Sequence, residues 1–280
     1  MAIQIVTDSA SDISVDEEKK YNIKVVPLTV HFGLESYRDR EEISPSQFYE
    51  KLESFDGIPS TSQVTPAEFI DIFKSIIHSG DEVIGIFMSS SMSGTYNSAM
   101  IAKNTLDSDK ISIIDSKMVT LGEALMVHYA AKMAKEGKSR KEIVNKIHDM
   151  IPKNETLMIV DTLEYLKKGG RLSSSQALLG SMLNIKPILT FSNGELVAKD
   201  KVRGKKKALN WVRNYLSKNR VSLKDKPVYM LHTGATEYLE DLKKILVEEY
   251  DANYIVESIV GAVVGTHAGP GAIAMSYVDE

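Results

Sequence analysis

Ser89-Ser90-Ser91-Met92-Ser93-Gly94-Thr95 puts five hydroxyls into seven residues, between a strand-like run and a helix-like one. Helix N-terminal amides joined by hydroxyl donors make a site for an anion, and Gly94 lets the backbone come close to a ligand. Capping a helix needs one or two hydroxyls, so the surplus points to binding. Ser60-Thr61-Ser62-Gln63 is a second polar stretch. It precedes a helix start marked by Thr65, Pro66 and Glu68, and reads equally as cap or as site. Gly265-Thr266-His267-Ala268-Gly269-Pro270-Gly271 sets His267 in a glycine-rich turn. A bound carboxylate there would favour the charged imidazole; a structural histidine is the alternative. Lys167-Lys168-Gly169-Gly170-Arg171-Leu172-Ser173 offers an exposed Arg171, whose planar guanidinium suits carboxylate or phosphate, or else a solvated loop. Lys199, Lys201, Arg203, Lys205, Lys206 and Lys207 place six cations within nine residues. They form either a docking face for an acidic partner or anionic lipid, or, more simply, a solvated face.

The elements that would position these residues alternate along the first half. Apolar runs at 2–8, 24–32, 81–90 and 110–116 predict strands, and helical spacing predicts helices over 65–80, 94–106, 120–136 and 139–150. That rhythm implies a parallel sheet with helices on both faces, with ligands at the carboxyl ends of its strands. The second half reads as a strand at 155–161, an apolar helix near 174–184, and two strands joined at Asn193-Gly194 as a hairpin. A basic helix near 204–218, a strand at 227–233 and a helix near 236–250 follow; 255–275 reads as buried strands around a glycine turn. The expected fold class is α/β in two domains. Residues 1–157 would form a three-layer α/β/α domain on a mainly parallel sheet, and 158–280 a two-layer α+β domain on a mixed sheet.

The 280 residues, 43% apolar and 26% charged, suit an ordinary globular protein with a sizeable core. A net charge of −4 argues against nucleic acid as a partner. The absence of cysteine removes disulfides and thiol chemistry and is compatible with a reducing cytoplasm. Four acidic residues follow closely on the short N-terminal apolar run, which is unlike a signal peptide. No stretch of about 18 apolar residues is present to span a bilayer.

Asp8, Asp12, Asp115 and Asp161 raise the prospect of Mg²⁺, but Ala10 stands where an aspartyl phosphotransferase pattern wants a second aspartate. The remaining histidines lack metal-ligand spacing, and no phosphate-binding glycine loop is present. No metal and no cofactor are therefore expected. Ser93, His267 and an aspartate such as Asp8 could make a serine hydrolase, although Ser91 stands where the first glycine of a nucleophile elbow belongs.

In chain order, Asp8-Ser9 through Asp12, Thr61-Ser62-Gln63, the serine-rich 89–95 with Tyr96-Asn97-Ser98-Ala99, Asp115-Ser116, Gly169-Gly170-Arg171-Leu172, Lys186-Pro187-Ile188 and Gly265 through Gly271 resemble the DegV family over the whole chain. Val64 departs from it, where relatives often carry proline. The resemblance implies a long-chain fatty acid buried in a tunnel and no catalysis by the chain itself. A separate ATP-binding fatty-acid kinase would phosphorylate the carboxylate, feeding phospholipid synthesis in the cytoplasm, with transient contact at a membrane surface. It implies carboxylate binding at Thr61, Ser93 and Gly94 with His267 close by, and contact with the kinase or its phosphate at Arg171; Ser62 and Thr95 are expected to join the carboxylate site and Arg203 the partner contact. Met92, Met118, Met126 and Met182 could line the tunnel or be plain core.

Overall fold

The computed structural model describes residues 2–172 and 184–279. Its first half runs β1 (Ile3–Asp8), α1 (Val15–Tyr21), β2 (Lys24–Val26), β3 (Thr29–Phe32), β4 (Glu35–Arg38), α2 (Pro45–Ser54), β5 (Ser60–Ser62), α3 (Pro66–His78), β6 (Glu82–Phe87), α4 (Thr95–Leu106), β7 (Ile111–Asp115), α5 (Leu121–Lys135) and α6 (Arg140–Met150). The second runs β8 (Asn154–Ile159), α7 (Glu164–Lys168), β9 (Ile185–Ser192), β10 (Glu195–Arg203), α8 (Lys205–Lys218), β11 (Pro227–His232), α9 (Thr236–Tyr250), β12 (Tyr254–Ile259), α10 (Ala262–Ala268) and β13 (Ile273–Val278).

The parallel sheet has the order β2-β1-β6-β7. Alternate residues of its strands serve opposite faces. Val6, Val83 and Phe87 pack with Phe69, Phe73, Ala99 and Ala102 of α3 and α4. Ile5, Ile84 and Ile86 pack with Leu125, Ala130, Ile143 and Ile147 of α5 and α6. The second sheet is mixed, with order β10-β9-β8-β13-β11-β12. Leu157, Ile159, Val228 and Met230 face α8 and α9 on one side, while Tyr229, Leu231 and Ala274 join the α5 cluster on the other. Ten of the fifteen α5 residues are buried because the helix is wedged between the two sheets. The architecture is the two-part α/β class that the sequence predicts. The first residues of β8 already pair with β13, from Asn154 against Val278 onward.

Three local expectations change. The run 24–32 is two strands, not one. Pro27 has no N–H to continue a ladder, and after it the chain leaves the parallel sheet for a three-stranded antiparallel sheet, β4-β3-β5. That sheet is the second change, for Ser60–Ser62, read from the sequence as a polar stretch ahead of a helix, is its edge strand. Third, His267 lies in helix α10, and only Gly269–Gly271 form the turn. The apolar helix expected near 174–184 lies outside the described residues, save Asn184 in a turn. Among the described residues no helix is long and apolar enough to cross a membrane.

Candidate functional site

A cavity of about 370 Å³ opens where β5, the β6–α4 loop, the β9–β10 hairpin and α10 meet, within the ~300–1,000 Å³ of small-molecule pockets. Its walls are apolar, with Met88, Met158, Val160, Leu189, Phe191 and Val263 among them. Thr61, Ser62, Gln63, Ser93, Gly94, Thr120, Arg171 and His267 supply its polar lining. The hairpin is held over the serine-rich loop by Ser89, whose Oγ donates to the Gly194 carbonyl at 2.7 Å.

Thr61 reaches the cavity because β5 pairs with β3, Thr61 opposite Val30. Strand alternation turns its half-buried side chain inward and its neighbours outward. Thr61 Oγ1 meets His267 Nε2 at 3.1 Å. The hydroxyl of exposed Ser62 is spent elsewhere, on His31 Nε2 at 2.7 Å, so Ser62 contributes to the rim without offering its hydroxyl inward. Ser93 Oγ lies 3.0 Å from Thr95 Oγ1 and accepts from the Thr95 amide at 3.2 Å. Thr95 itself is fully buried and fixes Ser93 from behind rather than lining the cavity. Gly94 leaves room for Gln63: a Cβ there would sit 2.0 Å from Gln63 Oε1 and push the amide aside. Gln63 Nε2 in turn donates to Ser98 Oγ at 2.9 Å, fixing an amide across the mouth. The site set read from the sequence omits Gln63, although it stands within the second polar stretch.

His267 packs on the backbone of the Gly169-Gly170 turn, where a Cβ on residue 169 would come within 2.2 Å of its Nδ1. Nδ1 is buried and has no partner among the described residues. Burial, with Arg171 nearby, pushes the imidazole down to about 4, which holds it neutral. Arg171 is not the free exposed arginine expected. It is partly buried and lines the cavity, with Nε donating to the Met92 carbonyl at 3.2 Å and Nη1 to that of Gly169 at 2.6 Å. Arg203 is exposed at the end of β10 and does not line the cavity. Met92 does line it, whereas Met118 and Met126 belong to the α5 core and Met182 lies outside the described residues.

The aspartates serve the frame. Asp8 accepts from the amides of Ala10 at 2.9 Å and Met88 at 3.0 Å. Asp12 accepts from Thr120 Oγ1 at 2.7 Å and the Gly261 amide at 2.8 Å. Burial pushes both carboxyls up to about 7. Among the described residues no group of three or more His, Asp or Glu side chains is placed to hold a metal ion. Among the described residues Ser93 and His267 share no hydrogen bond, and His267 Nδ1 has no acidic partner to orient it as a catalytic base. What the arrangement can do is hold an amphiphile: an apolar wall for a tail, and hydroxyl, amide and imidazole groups for an acidic head.

The model of the family described as "Uncharacterised protein, DegV family" matches residues 2–280. A DegV domain-containing protein of Caldanaerobacter subterraneus subsp. tengcongensis is 41% identical over 278 residues, 99% of each chain. Solved structures are equally close in shape. A fatty-acid-binding DegV family protein from Thermus thermophilus superposes with a TM-score of 0.93 at 30% identity, covering all of both chains. DegV of Bacillus subtilis, described as a fatty acid binding protein, gives 0.89 at 32% identity, again over all of both chains. The chain belongs to the DegV family.

Proposed function

We propose that this chain binds a long-chain fatty acid in the cavity and presents its carboxylate to a partner ATP-dependent kinase, performing no chemistry of its own. One observation carries the reading: the apolar cavity is bordered by Thr61, Ser93, Gly94 and His267, with Thr61 and His267 in hydrogen-bond contact. Burying a tail of roughly 16 carbons at ~0.8 kcal/mol per CH₂ supplies on the order of 10 kcal/mol before ordering costs. A buried carboxylate without partners would cost several kcal/mol, and the donors at the mouth offset that cost. The neutral His267 can take a proton as the acid binds, which turns a neutral contact into a charge-assisted one.

Arg171 on the cavity edge and exposed Arg203 are the candidate contacts for the kinase or its phosphate, and the basic run 199–207 is a surface for that partner or for brief contact with a membrane. The resulting acyl phosphate would feed phospholipid synthesis, and the protein would act in the cytoplasm. We place the division between the two domains close to the start of β8. A serine-hydrolase reading has the right residue types but, among the described residues, neither a Ser93–His267 hydrogen bond nor an orienting acid.

The test is to denature purified protein and analyse the released lipid by mass spectrometry. Stoichiometric long-chain fatty acid is expected. Protein that carries none, and takes up none when offered palmitate or oleate, would contradict the proposal.

A further inference from the structure

Thr120 lines the cavity with a backbone of φ 54 and ψ −126, a conformation that a β-branched residue holds only under strain. Two clasps hold it there. Its amide donates to the Ala10 carbonyl at 2.8 Å, and its hydroxyl donates to Asp12 Oδ2 at 2.7 Å.

Asp12 uses its other oxygen on a different element. Oδ1 accepts from the Gly261 amide at 2.8 Å, directly ahead of α10. The approach has no slack, since a Cβ on residue 261 would stand 2.8 Å from that oxygen. The next amide, Ala262, is held by Asp39 Oδ1 at 3.1 Å. From this anchored end α10 runs only seven residues, turns Val263, Val264, His267 and Ala268 to the same cavity, and ends with His267 against Thr61. An unbroken chain of hydrogen bonds and one short helix thus joins a strained point on the cavity wall to the imidazole at its polar mouth.

We propose that Thr120 and Asp12 are positioning residues that set His267. A molecule packed against Thr120 alters the Thr120–Asp12 bond, and Asp12 passes the displacement through Gly261 and α10 to the imidazole. The head-group end is then adjusted when the cavity is filled, not only when an acid arrives. The identity of the occupant rests on the fatty-acid reading; the link between Thr120 and His267 does not.

Thr120→Val keeps the shape and the β-branch but removes the hydroxyl, while Thr120→Ser keeps the hydroxyl. The measurement is NMR of full-length protein labelled at histidine, with the His267 ring signals assigned by His267→Gln. In lipid-free protein, Thr120→Val should shift the His267 ring signals while Thr120→Ser leaves them as in wild type. Palmitate affinity should fall about tenfold in the first and stay near wild type in the second. His267 signals unmoved by Thr120→Val, whatever happens to affinity, would overturn the proposal. Should Thr120→Val fail to fold, Asp12→Asn is read in the same way, with shifted His267 signals supporting the link and unmoved signals overturning it. Failure of palmitate to bind wild-type protein would remove the fatty-acid reading, and the lipid-free His267 signals would still decide the link.

Discussion

Asp8 and Asp12 stand behind the cavity with both oxygens of each carboxylate taken by the protein's own amides and a hydroxyl. At the mouth, His267 keeps a buried nitrogen without a partner among the described residues, and half-buried Thr61 and Ser93 face an open volume. Both regions gather polar side chains, and from sequence both look like sites. The difference is in how the hydrogen bonds are spent. A saturated cluster is structural, because a ligand could bind only by displacing a bond already made. A cluster with capacity left over at an apolar cavity is where a ligand gains most.

Breaking the saturated side should show the largest effect. Asp8→Asn turns an amide N–H₂ toward one of two buried N–H donors, and should cost about 1–3 kcal/mol of stability in urea unfolding. The pH dependence sharpens the point. With its carboxyl pushed up to about 7 from 3.8, folded Asp8 holds a proton that the unfolded chain has released. Its contribution is therefore greatest below about pH 4, falls as pH rises to about 7, and is level above that. Asp8→Asn should make this decline shallower, the remaining part coming from the other carboxyls that burial raises, Asp12, Asp39 and Glu123; an unchanged slope would remove Asp8 from the account.

The mouth should respond in binding and not in stability. Gly169→Ala has a backbone that alanine accepts, φ −74, but its methyl would press on His267 Nδ1. Fatty-acid affinity should fall about tenfold with little change in the unfolding midpoint, and an equal loss of both would put His267 with the frame. Smaller again is the contrast within one polar stretch and its neighbour. Ser93→Ala should weaken palmitate binding by roughly two- to tenfold, the net worth of one hydrogen bond. Ser62→Ala, whose hydroxyl belongs to His31, should leave affinity within about twofold by calorimetry.

What the sequence carries follows range. The α3 start was legible in Thr65, Pro66 and Glu68, and the structure closes that capping box. The Asn193-Gly194 hairpin was equally legible, both residues having positive φ at its tip. These signals are local. The helical state of His267 was not, because the carboxylates that hold the start of α10 come from positions 249 and 223 residues away. Thr61 and Ser62 could not be told apart either, since the inward face of β5 is set only by its pairing with β3. Thr120 carries no motif at all; its interest comes from a backbone angle and a partner in Asp12.

Palmitate labelled with ¹³C at its carboxyl carbon, titrated into delipidated protein and followed by NMR, tests the central claim most directly. One bound carboxyl resonance is predicted at a stoichiometry of one, with the His267 ring signals moving toward the protonated form as it fills. A bound resonance that leaves His267 unmoved and is insensitive to Ser93→Ala would place the acid elsewhere and contradict the account.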